Sequence, residues 1–260
     1  MEWREREGVG WLEAELPAAR AAFSTRLGGV SHEPYDALNV AIMTGDERDD
    51  VRENRLRLAA ALGREPDGVV MGRQVHGAEL REHAERQEPR VYADVVKSPD
   101  EVDAHATADP GLTPLVMVAD CLPVALDGPG GVAMAHCGWR GLAAGVVARA
   151  ATAVDAEAAA VGPGIGPCCY EVGDEVLAAF TGLGAGIAVD GPESRAGVDI
   201  SARRRLDLPE VARRLLAEAG VKRVESAGLC TSCEDGLFFS HRRDRGRTGR
   251  QAGLAWIEAG

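Results

Sequence analysis

Short apolar runs separated by turn residues predict strands near Ala21 to Ser24, Gly68 to Val75, Leu115 to Ala119, Leu122 to Leu126, Val132 to Ala135, Ala158 to Val161, Val221 to Ala227 and Leu237 to Ser240. Helical spacing appears between them. One helix is predicted from Asp49/Asp50 through Val51, Leu56, Ala59 and Ala60 to a stop at Gly63. Another follows Gly141 through Val146, Val147 and Ala150. A third has Asp207 as N-cap, Pro209 in the first turn, Glu210 three residues after the cap and Gly220 as its stop. The longest polar stretch, Arg81 to Arg90, reads as a loop or hairpin end. Alternating strands and helices, some strands joined by short turns, point to a mixed α/β or α+β architecture. No repeat or Pro/Ser linker divides the chain, so residues 1–260 are expected to form a single domain.

Composition narrows the function classes. A hydrophobic content of 45% over 260 residues supports a full core and excludes a disordered or fibrous chain. With 29 Lys and Arg against 41 Asp and Glu, the formal net charge of -12 repels phosphate backbones and anionic membrane surfaces. The first residues, MEWREREGVGW, carry charge where a secretory leader needs an apolar region, and no window approaches a membrane-spanning run. A soluble, cytoplasmic protein is expected. Six cysteines without such a leader suit buried thiols, ligands or nucleophiles better than a disulfide frame.

Three segments place a metal-ligand type where an apolar strand ends: Gln74-Val75-His76-Gly77, Ala119-Asp120-Cys121 and Ala135-His136-Cys137-Gly138. Leu122 to Leu126, Asp127 to Gly131 and Val132 to Ala135 compose a strand, a turn and a strand. Pairing them as a hairpin brings Cys121 near His136, whereas a one-residue slip substitutes Cys137. Two imidazoles and a thiolate suit zinc or copper and leave a fourth position open for water or substrate. Spacing alone favours satisfied core histidines and a buried cysteine over a metal site, because no compact signature such as HExxH occurs. Cys230-Thr231-Ser232-Cys233 lacks a partner CxxC and any redox module around it, and Cys168-Cys169 are neighbours whose side chains usually diverge; both read as structural. Phe23 to Ser31 opens from a strand into a glycine loop at Gly28 and Gly29 that can aim backbone N–H groups at an anion. Ser240 to Arg250 concentrates five arginines, which suits either a solvated face with internal ion pairs or an anionic substrate.

Taken together, FSTRLGGVSHEPYDALNVA, GRQVHG, EVDAHAT, VADCLPVAL, AHCGWRGLAAGV, GPGIGPCCYEVG and FFSHRRDRGRTGRQA resemble, in collinear order from Phe23 to Ile257, the YfiH/laccase-domain family, also called the purine nucleoside phosphorylase or multicopper polyphenol oxidase family. The resemblance implies a layered α/β/β/α sandwich with mixed sheets. It implies metal ligands at His76, Cys121 and His136, settling the register in favour of His136 over Cys137, with Zn²⁺ the usual metal and copper the alternative. It implies action on purine nucleosides: phosphorolysis of adenosine, inosine and methylthioadenosine, and deamination of adenosine. For the phosphate, Arg26 with Gly28 and Gly29, and Arg242 or Arg243, are the candidates; Asp120 or Glu171 would be the acid or base, unless they serve as caps or ion-pair partners. The chain departs from the family pattern at His241, where an aromatic is frequent, and at His105, which reads as a partly exposed histidine or a donor behind the site.

The expected partners are therefore purine nucleosides and phosphate, without nucleic acid or membrane, in a monomer or small homo-oligomer. Two other chemistries compete. A copper polyphenol oxidase fits the family's older name, but one mononuclear site with no His-x-His motifs does not supply the several coppers that oxygen reduction demands. A metal-free hydrolase or amidase would use Cys121 as nucleophile and His136 as base. Bacterial relatives are also described as peptidoglycan editing factors, a cellular role rather than a separate chemistry.

Overall fold

A computed structural model of the chain describes residues 1–98, 100–190 and 204–258. Two six-stranded mixed sheets dominate it. The first runs β1 (Glu2–Arg6), β2 (Val9–Glu15), β3 (Ala19–Ser24), β14 (Gln251–Ile257), β7 (Thr113–Val118) and β4 (Val69–Val70). The second runs β13 (Arg223–Ser226), β10 (Ala158–Val161), β8 (Leu122–Gly128), β9 (Gly131–Cys137), β6 (Ala104–Thr107) and β5 (Leu80–His83). A small pair, β11 (Ala188–Asp190) and β12 (Arg204–Leu206), flanks them, with helices α1 (Arg48–Ala61), α2 (Trp139–Ala143), α3 (Val146–Ala153), α4 (Asp174–Ala178) and α5 (Leu208–Glu218).

The period-two alternation of strand side chains creates three apolar layers. In β9, Val132 and Met134 face Val116, Val118, Ala21 and Phe23 of the first sheet, while Ala133, Ala135 and Cys137 face α3 and α5. Ala22, Leu115 and Leu254 point the opposite way, against Leu58, Ala59 and Ala61 of α1. The result is helices, sheet, sheet, helices. Among the described residues no helix is long and apolar enough to cross a membrane.

Capping and breaking residues behave as the chain predicts in α5, where the Asp207 side chain accepts the Glu210 N–H at 3.0 Å. The helix expected after Gly141 is instead two pieces, broken at Gly145, whose φ of 89° ends one helix and opens the next. The strand expected at Gly68 to Val75 reduces to Val69–Val70, because the chain beyond turns to carry His76. No strand forms at Leu237 to Ser240: the N–H groups of Leu237 and Phe238 both return to Glu234 O, so this is a turn that buries Phe238 and Phe239 side by side. The polar stretch from Arg81 begins inside β5, paired in parallel with β6.

Candidate metal centre and active-site cavity

The two sheets are joined at Ala119-Asp120-Cys121, where the chain leaves β7 of one sheet and enters β8 of the other. Asp120 turns this corner with φ 88°, a conformation costly for a residue with a Cβ and therefore sustained by its surroundings. Its carboxylate accepts the Thr231 hydroxyl at 2.7 Å and the Arg242 N–H at 2.6 Å, and its carbonyl accepts the Ile165 N–H at 2.7 Å. Asp120 thus braces the corner.

The β8–β9 register pairs Pro123 with His136 and Leu122 with Cys137, closing through Gly128 and Gly131. Extending it by one pair sets Cys121 opposite Gly138, on the same face as His136 and diagonal to it. Gly138 supplies the room: a Cβ there would lie 2.9 Å from Cys121 Sγ and 3.1 Å from His76 Cδ2. Cys137 points into the helical layer, fully buried, with its thiol pushed well above the ordinary range by burial.

His76 arrives from a separate loop. The Gln74 side-chain amide bonds both polar groups of Met117 on β7, at 2.7 and 2.8 Å, and pins the loop there. The loop then wraps a buried carboxylate: Asp103 accepts the N–H groups of Val75, His76 and Gly77 at 3.1, 2.9 and 2.8 Å. The same Asp103 takes His136 Nδ1 at 2.8 Å. That bond leaves His136 Nε2 for a ligand. Burial alone would raise the Asp103 pKa; the bonds from His136 and the backbone amides outweigh it and hold the carboxyl below its usual value.

The ligand atoms of His76, Cys121 and His136 all lie within 4.8 Å of one another, and the two rings meet edge to face at 4.8 Å. Burial would raise the Cys121 thiol and lower the His136 imidazole. Their mutual attraction, with Asp103 behind the ring, reverses both: Cys121 falls to about 6 and His136 rises to about 9. A borderline-soft donor set of two imidazoles and a thiolate, with an aspartate orienting one ring, fits Zn²⁺ or copper in a site of three protein ligands.

The centre opens on a cavity of about 550 Å³, within the range of small-molecule sites. Met71, Met117, Ile165, Trp139 and Tyr170 supply apolar walls, and Arg73, Arg140, Arg242 and Arg250 supply cations. Arg242 lies over the Tyr170 ring, with its Cζ 5.2 Å from the centroid, and donates to Glu171 O at 2.9 Å. Arg140 lies over Trp139, with its Cζ 4.3 Å from the ring centroid.

The other phosphate candidates sit elsewhere. Arg26 pairs with Asp36, donates to Asp235 O at 3.0 Å and stacks on Phe239. Gly28 and Gly29 pack against backbone, where a Cβ would meet Gly8 O at 2.4 Å and Ala37 O at 2.1 Å. Arg243 pairs with Asp244 and donates to Thr231 O and Phe238 O. None of these four lines the cavity. His105 is fully buried, not partly exposed, with Nδ1 3.0 Å from His83 Nε2, and burial lowers its pKa to about 3, so the ring stays neutral. Asp103 and Gln74 were not singled out from the sequence, although both lie inside segments that carry the resemblance.

Residues 20–258 match a family model described as multi-copper polyphenol oxidoreductase laccase. The chain is 39% identical to a protein of Escherichia coli named purine nucleoside phosphorylase YfiH, over 98% of this chain and 97% of that one. It is 36% identical to purine nucleoside phosphorylase YlmD of Geobacillus stearothermophilus, over 97% and 96%. The crystal structure of Bacillus licheniformis hypothetical protein YfiH superposes with a TM-score of 0.85 at 30% identity, covering 98% of this chain and 99% of that one. The chain therefore belongs to the YfiH/laccase-domain family.

Proposed function

We propose that this chain is a zinc-dependent purine nucleoside phosphorylase that also phosphorylyses methylthioadenosine and deaminates adenosine. The observation that carries the reading is the convergence of His76, Cys121 and His136 on the wall of a cavity that joins apolar walls to several arginines. Relatives named purine nucleoside phosphorylase at 39% and 36% identity support the substrate class. His76, Cys121 and His136 would hold the zinc, which would supply Lewis acidity and acidify a water.

The protein's own groups do the rest. Trp139, Tyr170 and the methionines offer faces on which a purine packs and water is excluded. Arg242 and Arg140 present planar donors to phosphate, which must be held against the sugar carbon for phosphorolysis. Asp103 fixes the His136 tautomer. Asp120, its oxygens taken by Thr231 and Arg242, holds the corner and leaves the proton transfers to other groups.

The stabilised Cys121 thiolate beside His136 favours one other reading, a cysteine hydrolase without metal. Purified protein stripped with chelator and reloaded with zinc or copper, then incubated with inosine, adenosine and methylthioadenosine with and without phosphate, separates the readings. Phosphate-dependent base release restored by zinc is expected. Activity that survives chelation points to the hydrolase, and oxidation of phenols restored by copper alone to the oxidase. Cys121→Ala and His76→Ala should lose metal and turnover together while keeping the fold, and Arg242→Ala should raise the KM for phosphate more than it lowers kcat.

A further inference from the structure

Behind the cavity wall, a second cluster of ligand-type side chains gathers. Cys168 and Cys169 sit in the turn that follows β10, and Cys230 and Cys233 in the turn that follows β13. As neighbours in a strand, Cys168 and Cys169 would diverge; in a turn, both sulfurs swing to one side. The four Sγ atoms all lie within 4.8 Å of one another, with Cys168 and Cys169 at 3.4 and 3.5 Å from Cys233. We propose that Cys168, Cys169, Cys230 and Cys233 form a second metal site, a closed tetrathiolate centre for Zn²⁺ that holds the cavity wall in place.

Zinc in a tetrahedral thiolate site, with bonds of about 2.3 Å, spaces its sulfurs about 3.8 Å apart. The separations of 3.4 and 3.5 Å fall a few tenths of an ångström short of that value, all four sulfurs lie within 4.8 Å of one another, and these distances exceed the ~2.05 Å of a disulfide. A disulfide also explains only two sulfurs, whereas four of the chain's six cysteines meet here from stretches more than sixty residues apart. At Cys230 the backbone also favours a negative sulfur. Gly166 N–H donates to Cys230 Sγ at 3.2 Å, and the amides of Ser232 and Cys233 also face it. Such amide bonds orient and tune thiolate ligands. Gly166 lets the turns approach: a Cβ there would lie 3.3 Å from Cys230 Cβ and 3.4 Å from Cys168 Sγ.

Four protein ligands leave no open position, so the site is structural. Binding displaces thiol protons to solvent and involves no redox change. Its placement explains its use. The first turn carries Ile165 and Tyr170 into the cavity, and the second carries Thr231, which bonds Asp120 at the corner beside Cys121. A direct bond, Thr231 N–H to Gly164 O at 3.0 Å, already joins the two turns, and the metal would lock them.

The test uses the full chain, stripped with chelator under reducing conditions and titrated with Co²⁺ as a spectroscopic stand-in for zinc. Wild type should bind about two equivalents. The variant His76→Ala/Cys121→Ala/His136→Ala should bind about one, with the strong thiolate charge transfer of a tetrahedral sulfur site, and Cys230→Ser/Cys233→Ser should lose that signal. Wild-type protein supplies a second measurement that needs no variant: with zinc, peptide-mapped alkylation should spare all four cysteines, and chelation should expose them together. A first-centre variant that binds no Co²⁺, a spectrum without thiolate charge transfer, or alkylation of Cys168 and Cys233 indifferent to zinc overturns the site.

Discussion

At the scale of single residues, Asp103 does the most. One buried carboxylate folds the His76 loop by accepting three consecutive amides and orients His136 by accepting its ring. Asp103→Ala leaves four donors without their partner, and the buried His136 ring, once stranded, costs about 1–3 kcal/mol. Zinc competition titration should show affinity for the first centre lowered by about 10–100-fold, the usual effect of removing a carboxylate behind a ligating histidine. Cys121 offers a second check at this scale. A thiol at about 6 is ionised at neutral pH and becomes protonated only as pH falls through that value. In chelator-treated protein, the alkylation rate at Cys121 should therefore rise with pH to a plateau, with its midpoint near 6 rather than the ordinary thiol value of about 8.5. A midpoint in the ordinary range would mean that His136 does not stabilise the thiolate.

At the scale of elements, the hairpin of β8 and β9 decides which side chains meet, and Gly138 decides how closely. Its φ of -78° suits any residue, so Gly138→Ala should fold normally. The added methyl would press on Cys121 Sγ and His76 Cδ2. Metal affinity should fall while the thermal midpoint of the metal-free protein stays within about 2 °C of wild type, the shift expected from a change below about 0.5 kcal/mol; equal affinity would show that the gap at Gly138 is slack. This hairpin was legible in the sequence because both strands are apolar and a Gly-Pro-Gly-Gly turn separates them. α5 was legible from its cap. β1 was not, since four of its five residues are charged and all are exposed, and nothing in their pattern distinguishes an edge strand from a tail. β14 escaped notice because it follows directly on the arginine-rich run. Phe238 and Phe239 misled in the opposite sense, as two adjacent buried rings imitate a strand that the backbone does not make. At the site, ligand types could be read from the residues, but Asp103 acts through backbone amides, which leave no trace in residue identity, and the cysteine cluster depends on two turns meeting across the fold.

At the scale of the whole molecule, charge is divided by place. The chain carries a net -12, yet its cavity gathers Arg73, Arg140, Arg242 and Arg250. The outer field should repel long polyanions, and the arginines should admit small anions. Duplex DNA should leave the thermal midpoint unchanged at physiological salt, whereas orthophosphate at about 100 times its Kd should stabilise the protein by about 2.7 kcal/mol. Stabilisation by DNA equal to that by phosphate would show that the outer charge does not exclude polyanions. The corner at Asp120 has a further consequence. Sheet faces alternate residue by residue, so lengthening Ala119-Asp120-Cys121 by a single amino acid would turn β8 over, bringing Leu122 and its like to the inter-sheet layer and Cys121 away from His136. Loop length here is as constrained as residue identity, and insertions that surface turns of this protein would tolerate should abolish it as a folded object when placed at this junction.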